Sequence, residues 1–306
     1  MSLKFAVRLK NRDKNISGLT ERSAEGLFLK GSNGCLVLLI HGLTGTPHEM
    51  KFLAHHLNEK GFSVFSPRLA NHGKPLNILK RTKWQDFYES AKKDFLEISD
   101  SYKVVFVGGL SMGALLSLLL AEEFSDKIAG VSCLSPTLFY DGWNMPKYRW
   151  LLPLGSATFL KHFFYFKEDP PYGIKNEAIR RYVHRYYSQA KLDDIEGVDQ
   201  YGYPFFPLTL LDQLHRLVKH VSRRLGVVTT PVQLIQAKED DMTSVKNSQF
   251  IYEKIKSQTK ELVLLENSYH VITADQERDK VAQKMAEFFT GILQAQKTSE
   301  VSHASR

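Results

Sequence analysis

The stretch Lys103-Val104-Val105-Phe106-Val107-Gly108-Gly109-Leu110-Ser111-Met112-Gly113 decides how this chain folds. Its beginning, Lys103–Val107, predicts a buried β-strand, and the apolar run from Met112 to Phe124 predicts a helix. Between the two, Gly109–Gly113 fits the pattern G-x-S-x-G. Glycine at both ends removes side chains that would clash in a sharp strand-to-helix turn. This context favours a nucleophile elbow with Ser111 at the helix N-terminus, and an ordinary glycine-rich turn is the alternative.

Short apolar runs alternate with longer amphipathic ones around this turn, which indicates βαβ units and a mostly parallel sheet flanked by helices. This alternation stops in a segment rich in aromatic residues and proline. The segment contains two helical patterns, near Asn176–Gln189 and Thr209–Leu225. The alternation resumes at Pro231 and ends with a predicted helix at Asp279–Leu293. The predicted units are an α/β core at 1–135 and 231–293, a largely helical cap at 136–230, and a disordered polar tail at 294–306.

The composition is that of a soluble globular protein, with 43% hydrophobic and 24% charged residues among 306. The chain lacks both a run of about eighteen apolar residues and the pattern of a signal peptide, so we expect a cytoplasmic location. Cys35 and Cys133 lie in apolar runs, which predicts buried thiols rather than a disulfide. The spacing of cysteine and histidine predicts no metal site.

The formal net charge of +8 is spread along the chain without a block of like charges. This distribution indicates a solvated basic surface, and the chain carries no recognisable nucleic-acid motif, so we expect no nucleic-acid partner. Peripheral contact with an anionic membrane surface is the alternative use of the charge.

The loop His41-Gly42-Leu43-Thr44-Gly45-Thr46-Pro47 follows an apolar run that ends at Ile40. A serine nucleophile needs backbone N–H groups that bind the oxyanion of its tetrahedral intermediate. The amides of Leu43 and of Met112, the residue after Ser111, are the candidates. Thr46 and Pro47 also fit the start of a helix, and both interpretations can hold together. Further along, Asn71-His72-Gly73 predicts a turn.

The acid and the base of a catalytic triad are expected after the later strands. Asp240 stands in an acidic cluster directly after the predicted strand Val232–Ala237, with Asp241 as the second candidate. Of eleven histidines, His270 alone lies in the loop that follows the last predicted strand. The chain order Ser111, Asp240, His270 is the order that a nucleophile elbow requires. Asp275 is expected to support the histidine loop.

These segments resemble bacterial carboxylesterases and monoacylglycerol lipases of the α/β-hydrolase superfamily. The matching stretches are HGLTGTPHEM at 41–50, GLSMG at 109–113, EDDM at 239–242 and NSYHVITAD at 267–275. The resemblance implies an α/β-hydrolase fold, a triad of Ser111, Asp240 and His270, and oxyanion amides from Leu43 and Met112. It implies a carboxylic ester substrate, either a small molecule or a lipid, and no cofactor or metal.

The expected activity is therefore ester hydrolysis through an acyl-enzyme on Ser111. The aromatic stretches between Tyr148 and Phe206 favour a lipid or long-acyl substrate, unless these rings only form the core of the cap. Thioester or amide hydrolysis, acyl transfer, and a non-catalytic binding protein are the alternatives, and the oligomeric state is open. The cap also carries arginines that would suit an anionic lipid surface: Arg180, Arg181, Arg185, Arg223 and Arg224.

Overall fold

A seven-stranded sheet forms the centre of the computed structural model, which describes residues 26–145 and 159–304. The strands are β1 Leu27–Leu29, β2 Cys35–Ile40, β3 Ser63–Ser66, β4 Val104–Leu110, β5 Ile128–Leu134, β8 Val232–Ala237 and β9 Lys260–Leu265. The strand order is β1-β3-β2-β4-β5-β8-β9. The edge strand β1 is antiparallel to β3, and the other neighbouring strands are parallel. This is the mostly parallel sheet that the sequence predicts.

Helices cover both faces of the sheet. Within the two described ranges, no helix has both the length and the apolar character that crossing a membrane requires. The helices of the core are α1 Lys51–Glu59, α2 Leu76–Leu79, α3 Trp84–Ser99, α4 Met112–Glu123, α8 Lys246–Lys254 and α9 Arg278–Ala304.

Strand β2 explains why both faces are covered, because all six of its residues are buried. Side chains alternate between the faces of a strand. Leu36, Leu38 and Ile40 therefore join one apolar cluster, together with residues of α3 and α4. The intervening residues of β2 join the opposite cluster, which α1 and α9 complete. Such continuous hydrophobic strands are typical of parallel sheets buried on both sides.

Strand β4 ends at Leu110, beyond the predicted end at Val107. Gly108 and Gly109 remain in the sheet because they pair with the last residues of β2 on one side and with β5 on the other. The sheet therefore continues to the residue before Ser111, and this position fixes the serine at the carboxyl edge of the central strand.

The chain between β5 and β8 adds a second, two-stranded antiparallel sheet, which the sequence does not predict. The two predicted helices of this region are confirmed, with bounds close to those expected. Leu214, Leu217 and Val221 of the second helix belong to the same apolar cluster as α4, so this helix also covers the core. The elements are β6 Tyr165–Lys167, α5 Glu177–Gln189, α6 Val198–Tyr201, β7 Phe205–Pro207 and α7 Leu208–Arg224.

The C-terminal helix extends into the segment 294–306, for which the sequence predicts a disordered tail. Helix α9 passes the predicted end at Leu293 and continues to Ala304. After Gly291 the sequence contains neither glycine nor proline up to this point, and its Gln, Ala, Lys and Glu residues are good helix formers. Polar composition alone therefore does not end this helix.

Candidate active site

Ser111 occupies a strained turn between β4 and α4. Its φ of 58° and ψ of −113° are unusual for a residue with a side chain, and its N–H donates to Leu134 O at 2.8 Å. A Cβ on Gly113 would overlap the backbone oxygen of Ile40, and one on Gly109 would overlap Gly113. The two glycines are therefore required by close backbone approach. Such local strain is characteristic of functional turns.

The hydroxyl of Ser111 lies in a cavity of about 650 Å³ that His270 also lines. Its Oγ is 2.9 Å from Thr137 Oγ1. Within the described residues, Ser111 makes this hydrogen bond and none with His270. The structure thus brings serine and histidine to one cavity but leaves the serine hydroxyl turned towards Thr137. Hydrogen bonds of catalytic groups are often long or misaligned in the absence of substrate.

Asp240 and His270 form a direct pair after β8 and β9. His270 Nδ1 lies 2.9 and 3.1 Å from the two carboxylate oxygens of Asp240. Both side chains are buried. Burial opposes protonation of the ring, but the acidic groups around it, foremost Asp240 and then Asp241 and Glu49, together outweigh this effect and raise the pKa of His270 above its ordinary value. The pair is thus arranged to stabilise an imidazolium.

Asp241 has a different set of partners. Its oxygens accept hydrogen bonds from the backbone N–H of His270 at 3.3 Å and of Gly173 at 3.1 Å. Burial raises the pKa of its carboxyl above the ordinary value. Of the two candidate acids, Asp240 is therefore the one beside the histidine ring, whereas Asp241 holds the histidine backbone.

Asp275 is a third buried acid near His270. It accepts from the N–H of Tyr269 at 2.7 Å, of Lys175 at 2.9 and 3.0 Å, and of Asn176 at 2.8 Å. This carboxylate therefore ties the histidine loop to the segment that enters α5. The expected support of the loop by Asp275 is confirmed, but the link to Lys175 and Asn176 leaves no signal in the sequence, because the partners lie about 100 residues apart.

The loop after β2 is braced on both sides of Leu43. The N–H of Gly42 donates to Glu49 Oε2 at 3.0 Å, and the ring of His72 lies with Nε2 2.8 Å from Leu43 O. Burial lowers the pKa of His72 to about 4, so the ring is neutral near pH 7 and donates from Nε2 to this carbonyl. The sequence predicts a turn at His72 but gives no sign of this contact.

The two predicted oxyanion amides lie in suitable backbone positions. Met112 is the first residue of α4, so its N–H has no acceptor within the helix. The N–H of Leu43 donates to no group in the described part of the chain. Leu43 lines the cavity, whereas Met112 and Asp240 do not.

Aromatic side chains from the predicted cap line a large part of the cavity wall. Tyr172 and Tyr187 also form a small apolar cluster with Ile174 and Val183, so these rings both line the cavity and contribute to a local core. Phe163 and Phe164 are exposed instead, and the stretch 148–153 lies outside the described residues. The aromatic residues of the wall are Phe52, Tyr140, Tyr172, Tyr182, Tyr187, Tyr201 and Phe206.

Comparisons with known proteins agree on one family. The family model described as serine aminopeptidase, S33, matches residues 32–277. The chain is 30% identical over 257 residues to a thermostable monoacylglycerol lipase of Bacillus sp. (strain H-257), covering 83% of this chain and 89% of that protein. It is 26% identical over 253 residues to a carboxylesterase of Bacillus subtilis (strain 168), covering 82% and 91%.

Solved structures resemble the fold over a similar length. A structure reported under LipS and LipT, two metagenome-derived lipolytic enzymes, superimposes with a TM-score of 0.72 at 26% identity and covers 88% of this chain and 98% of that one. The monoacylglycerol lipase of Paleococcus ferrophilus superimposes with a TM-score of 0.69 at 19% identity, covering 87% and 98%. The second likeness supports the α/β-hydrolase fold alone.

Proposed function

The chain belongs to the serine aminopeptidase, S33, family of α/β hydrolases, and we propose that within it the protein hydrolyses carboxylic esters through an acyl-enzyme on Ser111. The observation that carries the proposal is the meeting of three groups at one cavity. Ser111 and His270 line it, and the ring of His270 is backed by Asp240 at 2.9 Å. The curated relatives named a lipase and a carboxylesterase support the choice of an ester.

The reaction would begin when the Ser111 hydroxyl turns from Thr137 to Nε2 of His270. His270 then takes the hydroxyl proton as Oγ attacks the ester carbonyl, and Asp240 stabilises the resulting imidazolium. The amides of Leu43 and Met112 would bind the oxyanion of the tetrahedral intermediate.

Collapse of this intermediate releases the alcohol. The C–O bond to the alcohol breaks, and His270 gives its proton to the leaving oxygen. Water, deprotonated in turn by His270, attacks the acyl-enzyme, and the acid leaves as Ser111 recovers its proton. Because the same ring accepts and returns each proton, the sequence of steps needs no other titrating group.

The cavity wall supports an ester with an extended apolar part. Its aromatic side chains would exclude water, and each methylene buried there contributes about 0.8 kcal/mol. Exposed rings lie on the same region of the chain, with Phe163 71% and Tyr182 59% exposed. The arginines of the predicted cap would add electrostatic attraction to an anionic lipid surface, although Arg224 already pairs with Glu122.

Amide hydrolysis is the second candidate, because the family description names an aminopeptidase. A matched pair of substrates with the same acyl group, one an ester and one an anilide, separates the two activities. We expect the ester to be cleaved with the higher kcat/KM. A higher value for the anilide would replace the ester proposal by the second candidate.

The basic test of the proposal is covalent labelling with a fluorophosphonate, followed by peptide mapping. The label is expected on Ser111, and Ser111→Ala is expected to lose both label and ester turnover. The matched control is Ser101→Ala, which removes the hydroxyl of an exposed serine that does not line the cavity. Labelling of another residue, or full turnover by a folded Ser111→Ala variant, would reject the assignment.

A further inference from the structure

Glu49 is an acidic side chain beside the proposed oxyanion loop that the mechanism above does not use. It lies in a short 3₁₀ turn, Pro47–Met50, in which the Thr46 side chain accepts from the N–H of His48. Its side chain is partly buried and lines the same cavity as Ser111 and His270. An acid in this place calls for an explanation, because the proposed chemistry develops negative charge next to it.

The carboxyl group of Glu49 fills the space enclosed by the loop. Its Oε2 accepts from the N–H of Gly42 at 3.0 Å, and a Cβ on Gly45 would overlap the carboxyl atoms. The loop is therefore wrapped around this side chain, and Leu43 lies between its two points of contact. The ring of His72 donates to Leu43 O, so hydrogen bonds fix the peptide units on both sides of the one that carries the Leu43 N–H.

The same contacts bring Glu49 close to the nucleophile. A Cβ on Gly42 would lie 3.5 Å from Glu49 Oε2 and 3.8 Å from Ser111 Cβ. Glu49 and Ser111 thus flank one glycine. An ionised carboxylate this close to Ser111 would repel the oxyanion that forms there. At the effective dielectric constant of a partly buried site, this repulsion would slow acylation by about tenfold or more.

We propose that Glu49 is a positioning residue that holds the Leu43 amide towards the oxyanion and that it acts in its neutral, protonated form. This inference rests on the proposed roles of Ser111 and Leu43. The neutral carboxyl group keeps its carbonyl oxygen as an acceptor for Gly42 N–H, so protonation preserves the brace and removes the repulsion.

The surroundings of Glu49 are consistent with a neutral form near pH 7. Burial raises its pKa to about 7, although the Gly42 N–H and His270 act in the opposite direction. Other titratable and charged groups line the same cavity as Glu49. The acidic and phenolic ones belong to the inserted region, and the basic ones belong to α1, to α9 and to the turn that contains Glu49. These groups are Glu168, Tyr187, His48, Lys51, His55 and Arg278.

Glu49 and His270 influence each other directly. Glu49 is one of the groups that raise the pKa of His270, and His270 lowers that of Glu49. The catalytically competent form has both groups neutral, since His270 must accept the serine proton. The wild-type profile of kcat against pH is therefore a narrow bell whose two limbs belong to the pair.

The test is this profile for the wild type and for Glu49→Gln, measured on one ester from pH 5 to 10. Glutamine is neutral and keeps the acceptor for Gly42, so we expect activity at neutral pH and loss of the alkaline limb. At pH 9 the wild type should lie about tenfold or more below its optimum, whereas the variant stays near its plateau. Its acid limb should stay close to that of the wild type, because Glu49 is protonated on that side of the optimum and carries no charge that could raise the pKa of His270.

A control variant and an inhibitor measurement complete the test. Glu59→Gln, at the exposed end of α1, is the control and should keep the wild-type bell. The affinity of the wild type for a trifluoromethyl ketone, which forms an oxyanion on Ser111, should fall above pH 7 by a similar factor, with no variant required.

An alkaline limb of equal size in Glu49→Gln, or a wild-type kcat that stays flat to pH 9, would overturn the inference. Neither result affects the proposed function, which fails only if ester turnover does not depend on Ser111.

Discussion

Replacing Asp240 by asparagine tests the triad where its geometry is most fully defined. The two carboxylate oxygens accept from His270 Nδ1 at 2.9 and 3.1 Å, Gln236 Nε2 at 2.7 Å and Thr243 Oγ1 at 3.1 Å. They also accept from the backbone N–H groups of Met242 and Thr243 at 2.9 and 2.8 Å. Every partner is a donor, so the site is built for two acceptor oxygens, and the NH2 of asparagine must face donors in either orientation.

The expected loss in kcat is on the order of 10⁴-fold, because asparagine favours the wrong tautomer of His270 and leaves the imidazolium without its counter-charge. KM should change much less, since Asp240 does not line the cavity. At least two buried hydrogen bonds are lost, and at about 1 kcal/mol each the free energy of unfolding should fall by about 2 kcal/mol. Catalysis therefore suffers far more than folding.

Asp241→Asn is the matched comparison, because in the part of the chain that the structure describes this side chain accepts from the backbone N–H groups of His270 and Gly173 and not from the histidine ring. We expect kcat within about tenfold of the wild type and a loss of about 1–2 kcal/mol in unfolding free energy. Steady-state kinetics and urea unfolding of both variants provide the two quantities separately. A folded Asp240→Asn enzyme that keeps a tenth of the wild-type kcat, while Asp241→Asn loses more, would refute the assignment of the acid.

Three other experiments test the remaining parts of the site. Ser111→Ala and His270→Ala should each reduce kcat by about 10⁴-fold or more. The double variant should be little worse than either, because the members of a triad act as a unit. Additive losses in the double variant would contradict this expectation. Asp275→Ala should lower the free energy of unfolding by about 3 kcal/mol and reduce kcat. The control Asp279→Ala removes an exposed acid on α9 and should change the free energy of unfolding by less than about 0.5 kcal/mol. Equal effects of the two variants in urea unfolding would exclude the link that Asp275 makes to the histidine loop. Across an acyl series from about two to sixteen carbons, including monoacylglycerol and lysophospholipid, kcat/KM should rise towards the longer chains, and a steady fall beyond about four carbons would indicate a small-ester enzyme instead.

The parts of the fold that the sequence predicts are those governed by local pattern. A continuous apolar run predicts β2, and the glycines around Ser111 predict the sharp turn, because both signals arise from residues close together in the chain. The order of serine, acid and histidine then places Asp240 and His270 after β8 and β9. The parallel sheet brings these ends to one edge, and the observed distance of 2.9 Å follows from that topology.

The parts that the sequence does not predict depend on distant partners. Strands β1, β6 and β7 are each three residues long, too short for a periodic pattern, and their pairing is set by neighbouring segments. Helix α9 extends through residues whose polar composition resembles that of a disordered tail. Glu49 and His72 each occur in a turn pattern, and only the folded loop makes them neighbours of the Leu43 peptide.

Three acidic side chains hold His270 and its loop in place. Asp240 holds the ring, Asp241 holds the backbone N–H of the same residue, and Asp275 holds the N–H of Tyr269 just before it. The last two also accept from the segment at 173–176, which leads into α5. The position of the proposed base is therefore mechanically linked to the inserted region whose rings line the cavity. A displacement of the segment 173–176 would therefore act on the two carboxylates that hold the histidine loop.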